Sequence, residues 1–524
     1  MASRRDELNA YTFARKRMVG AFLQPSGGGN DEDAPRPVRA VLPSVVVAAV
    51  IVAGFGMLGV IKPAAPQGWD DGKNIIQGKD STTRYVVLVD PTTKEKVLHQ
   101  VLNMSSARLV LPAGAKVTVV ADAVLDAYKN HGATIGIPYA PDRLPDPADA
   151  GVAKTWSVCD RPGKDKSQAT INQAVFVTAG KEAKALANPS LVLGGGQWLF
   201  VEAPPLSGNR ASDYLVDSNG FKHALGQATT SADVRSSLES GLFGADAQPQ
   251  QVTQEWLNTL QDGNMITFPT IPGFKDTDRV ASNVPISQPD EQFVGRLLSY
   301  QGKSFYVMGQ DSLYEVTAFQ AELIRQNPAL KVIYKSQTPK FAELSPSDYA
   351  ALRPKIDQNT LLKADSNAPK EKPSGSAVNA DSGAKARTVL CSTFQSMDDS
   401  GNIKQTVWAD ANYPTPVNTG SSSAHVSPGA GLLFRSVDAG AGGSGSNFLI
   451  TETGLRYSVQ SNSDGTKTST PSPAPQSGQS QVDEAQARLG YDKIQPVPVP
   501  GAWANLVPGG PVLNTAAALQ AQNA

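Results

Sequence analysis

Four histidines and two cysteines are the side chains of this 524-residue sequence best suited to acid–base, nucleophilic or metal chemistry near neutral pH: His99, His131, His223, His425, Cys159 and Cys391. Their spacing does not assemble such chemistry. None of the histidines forms an H-E-x-x-H pair or another close metal-ligand pair. Two cysteines are too few for a zinc ribbon or an iron–sulfur cluster built from this chain alone. No G-x-S-x-G elbow occurs; GGSGS at 442–446 is low in complexity and ends in Ser. No G-x-x-x-x-G-K-[ST] occurs, and SDGTKTS only echoes one. GGGQW at 194–198 has the glycines but no phosphate-cradling helix start behind it. His223 reads as an ordinary strand residue and His425 as part of the polar loop SSSAHVSPGAG. The expectation is a chain without a catalytic constellation, a metal or a cofactor.

The elements around these residues say more. A net charge of −1 gives no footprint for a nucleic-acid partner, and 38 Pro with 46 Gly signal long irregular segments. From Val41 to Ile61 the chain reads VLPSVVVAAVIVAGFGMLGVI, without a charge. At about 1.5 Å per residue this spans a hydrocarbon core of roughly 30 Å. A buried core helix and a cleaved signal peptide are the alternatives; the absence of a polar stripe and of an A-x-A site favours a single-pass anchor. Before it lie Arg4, Arg5, Arg15, Lys16, Arg17, Arg36 and Arg39; the next 20 residues carry only Lys62, Lys73 and Lys79. That bias sets the N-terminus in the cytoplasm and the bulk of the chain outside.

Within the arm, DELNAYTFARKRMVGAFL places Leu8, Tyr11, Ala14, Met18 and Phe22 at helical spacing, with Arg15 in the basic cluster. Leu8, Tyr11, Arg15, Met18 and Phe22 are expected to engage a cytoplasmic partner. A basic helix lying on anionic lipid is the competing reading.

Past the anchor the chain repeats itself. YLVDSNGFKHAL at 214–225 and FLITETGLRYSV at 448–459 are the same hairpin, with Gly220 matching Gly454. Each is followed by a Trp-led segment, WLNTLQDG at 256–263 and WANLVPGG at 503–510. Two further hairpins match at another offset: Leu102, Ala107 and Leu109 correspond to Val316, Ala321 and Leu323. Between them INQAVFV at 171–177 aligns with IKQTVWA at 403–409, and WLF at 198–200 with LLF at 432–434. Cys159 and Cys391 occupy equivalent places in the two copies. If the copies pack about a pseudo-twofold axis, residues near it face each other and a disulfide follows; two free buried thiols are the alternative.

The fold class expected is α+β: one transmembrane helix, then an extracytoplasmic domain with a central β-rich core and four small α/β repeats in pseudo-twofold arrangement. The expected boundaries are a cytoplasmic arm over 1–40, the membrane helix over 41–61 and a tether over 62–80. A first repeat covers 81–150, the first core part 151–210, a second repeat 211–270 and a connector 271–300. A third repeat covers 301–345, a linker 346–387, the second core part 388–447, a fourth repeat 448–510 and a tail 511–524.

The motif order resembles the EccB family, a membrane-anchored core component of the type VII secretion system of actinobacteria. The likeness runs from SRRDELNAYTFARKRMVGAF through the Trp69 tether, RYVVLVD, VLNMSSARLVL, IGIPYAPDRLP, WSVCD, YLVDSNG, VLCS and GLRYSV to PGGPVL. It implies a periplasmic domain of four repeats around a central domain whose disulfide cysteines match Cys159 and Cys391. It also implies a multi-subunit inner-membrane complex as partner, with an EccC-like ATPase, an EccD-like channel, an EccE-like subunit and a mycosin protease. Some members are labelled ATPases, which the missing phosphate-binding motif does not support. The function expected is that of a structural subunit of the export complex; a cell-wall-binding module and an ATP hydrolase are the alternatives.

Overall fold

The computed structural model describes residues 3–23, 38–61, 65–163, 171–204, 212–227, 229–287, 291–335, 337–357, 369, 377–379, 387–398, 400–417, 424–438, 445–460 and 484–522. They fall into two compact units.

The first unit comprises Met1–Asp71, Ile76–Thr82 and Thr118–Lys129. Its opening helix is Arg4–Leu23; at its start the Ser3 N–H donates to Asp6 Oδ2 at 3.1 Å and the Ser3 hydroxyl accepts the Arg5 N–H at 3.1 Å. Asp6 and Glu7 in the first turn suit the positive end of the helix dipole. Leu8, Tyr11, Met18 and Phe22 are all exposed, as is Phe13, which points away from that stripe. A second helix, Val38–Ile61, runs for 24 residues and takes in Pro43 near its start. The side chains of residues 38–40, of Leu42 and of residues 56–61 lie outside those described. Among the described residues no helix is long and apolar enough to cross a membrane. In the same unit Asp122 accepts the Asp80 N–H at 2.7 Å, and Trp69 meets Tyr128 edge-on.

The second unit comprises Gly72–Ile75, Thr83–Val117 and Asn130–Ala524. At its centre lies a five-stranded sheet in the order Ile403–Asp410, Val389–Met397, Thr155–Pro162, Ile171–Thr178, Ala424–Val426. Two antiparallel hairpins, one from each half of the chain, meet edge to edge along Thr155–Pro162 and Val389–Met397. Alternation assigns the faces. Trp156, Val158, Val175, Val177, Leu390, Phe394, Val407 and Ala409 point to one core; Cys159, Ala174, Phe176, Cys391 and Trp408 point to the other. The first face receives Trp256 and Trp503 from the short helices Gln254–Asn258 and Gly501–Ala504. Each fully buried indole removes on the order of 150–250 Å² from water, which favours folding by roughly 4–6 kcal/mol before chain entropy is counted.

Flanking sheets repeat one plan. In the sheet of Leu199–Glu202, Asp213–Val216 and Phe221–Ala224, the three strands run antiparallel in sequence, and two short strands, Gln250–Gln251 and Gln261–Asp262, add in parallel at the edges. The sheet of Leu297–Tyr300, Ser304–Met308 and Leu313–Val316 gains Ala342–Glu343 and Ile356–Asp357 in the same two ways. Leu432–Val437, Asn447–Ile450 and Arg456–Ser458 gain Val497–Pro500, and a parallel bridge joins Arg456 to Gly509. The hairpin Arg84–Val89/Lys96–Val101 carries parallel bridges from Leu98 to His131 and from Val101 to Ile135. The turn at Asp217–Phe221 and that at Thr451–Leu455 close with the same bonds, and Gly220 and Gly454 sit at φ 84° and 76°, where a side chain is strained.

Several expected boundaries move. The tether over 62–80 contains a strand, Asn74–Gly78, because Ile75 and Ile76 are fully buried. WLF and LLF open the second and fourth flanking sheets rather than belonging to the core, and the connector 271–300 ends in the first strand of the third. The linker 346–387 contains the helix Pro346–Leu352 and strand Ile356–Asp357; Asn379 further on bonds both the N–H and the carbonyl of Phe200, at 3.0 and 2.8 Å. Most of its remainder lies outside the described residues, as do SDGTKTS and the Ser/Pro insertion after it. The tail is no tail: the helix Thr515–Ala518 packs on Met104–Val110, and Gln522 donates its N–H to Thr134 at 2.8 Å. His425 is a strand residue, not a loop residue, because residues 424–426 extend the central sheet in parallel beside Val175–Val177.

Candidate functional site

The seam between the two hairpins brings Cys159 and Cys391 together. They are paired residues on adjacent antiparallel strands and form a disulfide, with S–S 2.00 Å and Cα–Cα 4.0 Å. The register is symmetric about that bond: Leu390 opposes Asp160, Ser392 opposes Val158, Thr393 opposes Ser157 and Phe394 opposes Trp156. Moving one way along the first strand therefore mirrors moving the other way along the second, as a local twofold axis through the cystine requires. Sequence matching errs by two residues just beyond. Ala174 opposes Cys159 and Trp408 opposes Cys391, so the second hairpin is offset by two from the INQAVFV/IKQTVWA alignment. A shift of two keeps every side chain on its own face.

Next to the disulfide, Ser157 and Thr393 share a buried hydroxyl hydrogen bond of 2.7 Å. Both stand two residues from a cysteine, in mirrored directions, which is the mark they carry in the sequence. On the other face Asp160 is fully buried. It accepts the N–H and hydroxyl of Thr253, each at 2.7 Å, and the Gln173 amide at 3.1 Å. Burial pushes its carboxyl above the usual range, and the Thr253 and Gln173 bonds only partly oppose that. Thr253 in turn caps the helix bearing Trp256 at 3.1 Å, so this carboxylate ties the seam to the second flanking sheet. In the other copy the corresponding residue is Ser392, whose main-chain carbonyl takes the Trp503 indole N–H at 3.4 Å, and Pro500 stands in the cap position. The two halves are alike in path and unlike in chemistry.

The histidines are dispersed. His99 Nδ1 lies 2.9 Å from the Ala133 carbonyl, and His223 Nδ1 lies 2.8 Å from the Asn264 carbonyl. In both cases the residue before that carbonyl is a glycine, Gly132 or Gly263, on which a methyl group would overlap the imidazole; Gly510 stands likewise against Tyr457. A ring laid over a glycine of the neighbouring segment thus recurs in three places. The match of His223 with Tyr457 was legible; the membership of His99 was not. His131 makes a main-chain bridge with Leu98. His425 Nε2 lies 3.0 Å from Glu182, which also accepts from Ser427. Burial pushes Glu182 up, but donation by Ser427 and His425 outweighs it and leaves the carboxyl below its ordinary value. The carboxylate separates serine from imidazole in this group, so it has no nucleophile–base contact.

Among the described residues no group of His, Cys, Asp and Glu has the arrangement to hold a metal ion. Leu8, Tyr11, Arg15, Met18 and Phe22 share one helix, where Arg15 interrupts the apolar stripe. What the seam can do chemically is hold: a covalent bond, a mirrored ladder of hydrogen bonds and two indole-bearing helices fix the halves of the chain to each other.

A family model described as type VII secretion system ESX-1, transport TM domain B, matches residues 1–524. The ESX-3 secretion system ATPase EccB3 of Mycobacterium tuberculosis is 26% identical over 516 residues, covering 93% of this chain and 83% of the relative. The fold is similar to a chain in an intact ESX-5 inner membrane complex, with TM-score 0.56 and 18% identity over 100% of this chain and 96% of that one. It is also similar to an EccB3 dimer from the ESX-3 core complex, with TM-score 0.58 and 20% identity over 86% of this chain and 100% of that one.

Proposed function

The chain belongs to the EccB family of type VII secretion components, and on that footing we propose that it is a structural subunit of a secretion complex of the inner membrane. The observation that carries this reading is the match across residues 1–524, which leaves no part of the chain to another family. In this reading residues 41–61 cross the membrane once, with the N-terminus in the cytoplasm. The arm helix then presents Leu8, Tyr11, Arg15, Met18 and Phe22 to the cytoplasmic subunits, and four α/β repeats around the cross-linked sheet build the periplasmic part. Its partners are EccC-like, EccD-like and EccE-like subunits and a mycosin protease. The disulfide supports an extracytoplasmic location, because such bonds persist in oxidising compartments.

Rigidity is the property such a part needs. Two half-chains locked through Cys159–Cys391, with Trp256 and Trp503 packed on one sheet face, give a frame whose surfaces keep a fixed spacing. The relatives' name carries a second reading, ATP hydrolysis. The whole sequence lacks a Walker-type phosphate loop, which weighs against it.

Affinity purification of the full chain from membranes in mild detergent, followed by identification of what comes with it, tests the assembly reading. Recovery with the motor and channel subunits is expected; recovery alone counts against it. In the same preparation, separated from the motor subunit, ATP turnover is expected at background, and turnover abolished by one substitution in this chain revives the enzymatic reading.

A further inference from the structure

Within the second unit a cleft of about 290 Å³ opens where the loop 143–147 faces residues 429–430 and 451–452, with Arg108 in its wall. Its charges are unevenly matched. Glu452 is paired with Arg143 at 3.2 Å and also accepts the Gly429 N–H at 2.8 Å, so that acid is answered. Asp146 caps the turn after it, taking the Ala148 N–H at 2.8 Å, but among the described residues meets no cation within ion-pair distance. Among the described residues Arg108 gives one hydrogen bond, from Nη1 to the Leu489 carbonyl at 2.7 Å. Its Nε is buried and has no partner among the described residues. With Nε shut off from solvent and Nη1 bonded, the remaining outer N–H groups are the donors a ligand can use, and a carboxylate is the acceptor that pairs with them in a charge-assisted bond. Ala430 supplies an apolar wall, and Thr451, buried with its hydroxyl 2.9 Å from that of Thr453, closes the floor.

We propose that this cleft binds a small ligand ending in a carboxylate, with Arg108 receiving the carboxylate and Asp146 a donor N–H on the same ligand. The volume admits two or three residues' worth of atoms at most, and the Glu452 carboxylate on one side disfavours a second acidic group there. This chemistry is shared by the free C-terminal end of a peptide, which offers an amide N–H, and by a free amino acid, which offers an ammonium. Tyr491 is buried, and its hydroxyl donates to the Pro145 carbonyl at 2.9 Å, which fixes the loop carrying Asp146. The inference rests on the cleft alone and stands apart from the assembly reading.

Saturation-transfer difference spectra of the full chain in nanodiscs test it, with acetyl-alanyl-alanine, its C-terminal amide and alanine as probes. Saturable transfer to the acid, and at least about tenfold weaker transfer to the amide, is expected from the loss of a charge-assisted pair. The alanine arm decides the donor: transfer matching the acid assigns a free amino acid, weaker transfer a peptide end. Arg108→Gln should weaken the acid by a similar factor and Asp146→Asn less. Acid and amide behaving alike on the unaltered chain overturns the proposal, and that contrast does not depend on whether a variant folds.

Discussion

Asn103 and Thr317, 214 residues apart, begin two short helices in the same way: Asn103 Oδ1 accepts the Ser106 N–H at 3.0 Å and Thr317 Oγ1 accepts the Gln320 N–H at 3.2 Å. Each cap follows the second strand of a hairpin, and each helix then buries an alanine at its fourth turn position, Ala107 or Ala321. Alanine at either cap is expected to destabilise the chain by about 1 kcal/mol. Asn103→Ala should cost more than Thr317→Ala, since Asn103 is buried and its Nδ2 also donates to the Ile137 carbonyl at 2.8 Å. Urea midpoints measured side by side decide the order.

Removing the disulfide should weaken the second unit without rearranging it. The bond closes a span of 232 residues, for which the chain-entropy model gives roughly 5 kcal/mol and measured losses run about 2–5 kcal/mol. Cys159→Ser and Cys391→Ser should lose equal amounts, and the double variant no more than either. Thermal unfolding under oxidising conditions is the measurement; three unchanged midpoints would show that the bond is idle.

Asp160 makes stability depend on pH in an uncommon direction. Its folded carboxyl is raised above the ordinary value of 3.8 by burial. The stability it contributes is therefore fully present below that ordinary value and is lost as pH rises through the raised folded value. Asp160→Asn should remove this slope from a plot of urea midpoint against pH. Asp160→Ala should destabilise at every pH by about 1–3 kcal/mol, because the Thr253 N–H loses its acceptor.

The ring-on-glycine contact is open to a double-mutant cycle. Gly263→Ala should destabilise by about 1–3 kcal/mol, because the added methyl overlaps the His223 imidazole. In a His223→Ala background the same substitution should cost at least about 1 kcal/mol less. Additive effects in the cycle would mean that the two do not press on each other.

Much of this architecture was legible because copying leaves the same residue types at fixed distances. The hairpins carrying Gly220 and Gly454, the matching segments led by Trp256 and Trp503 and the Cys159–Cys391 pairing all followed from that, though not that the Trp-led segments are short helices. What stayed hidden depends on partners distant in sequence. Asn74–Gly78 reads as part of a polar tether until burial of Ile75 and Ile76 is seen, and Thr515–Ala518 reads as a tail until it meets Met104–Val110. His425 looked like a loop residue because its serine-rich neighbours mask a three-residue strand that exists only through pairing with Val175–Val177. Asp160 gave no signal at all: a carboxylate beside a cysteine says nothing until Thr253 is found facing it.

If the cross-linked halves form one rigid part of a larger membrane machine, the chain should travel with that machine through native electrophoresis of detergent-solubilised membranes. Migration with a megadalton-class assembly that also contains the motor and channel subunits is expected. A chain found only at the size of its own monomer or dimer, in every mild detergent tried, rules such an assembly out.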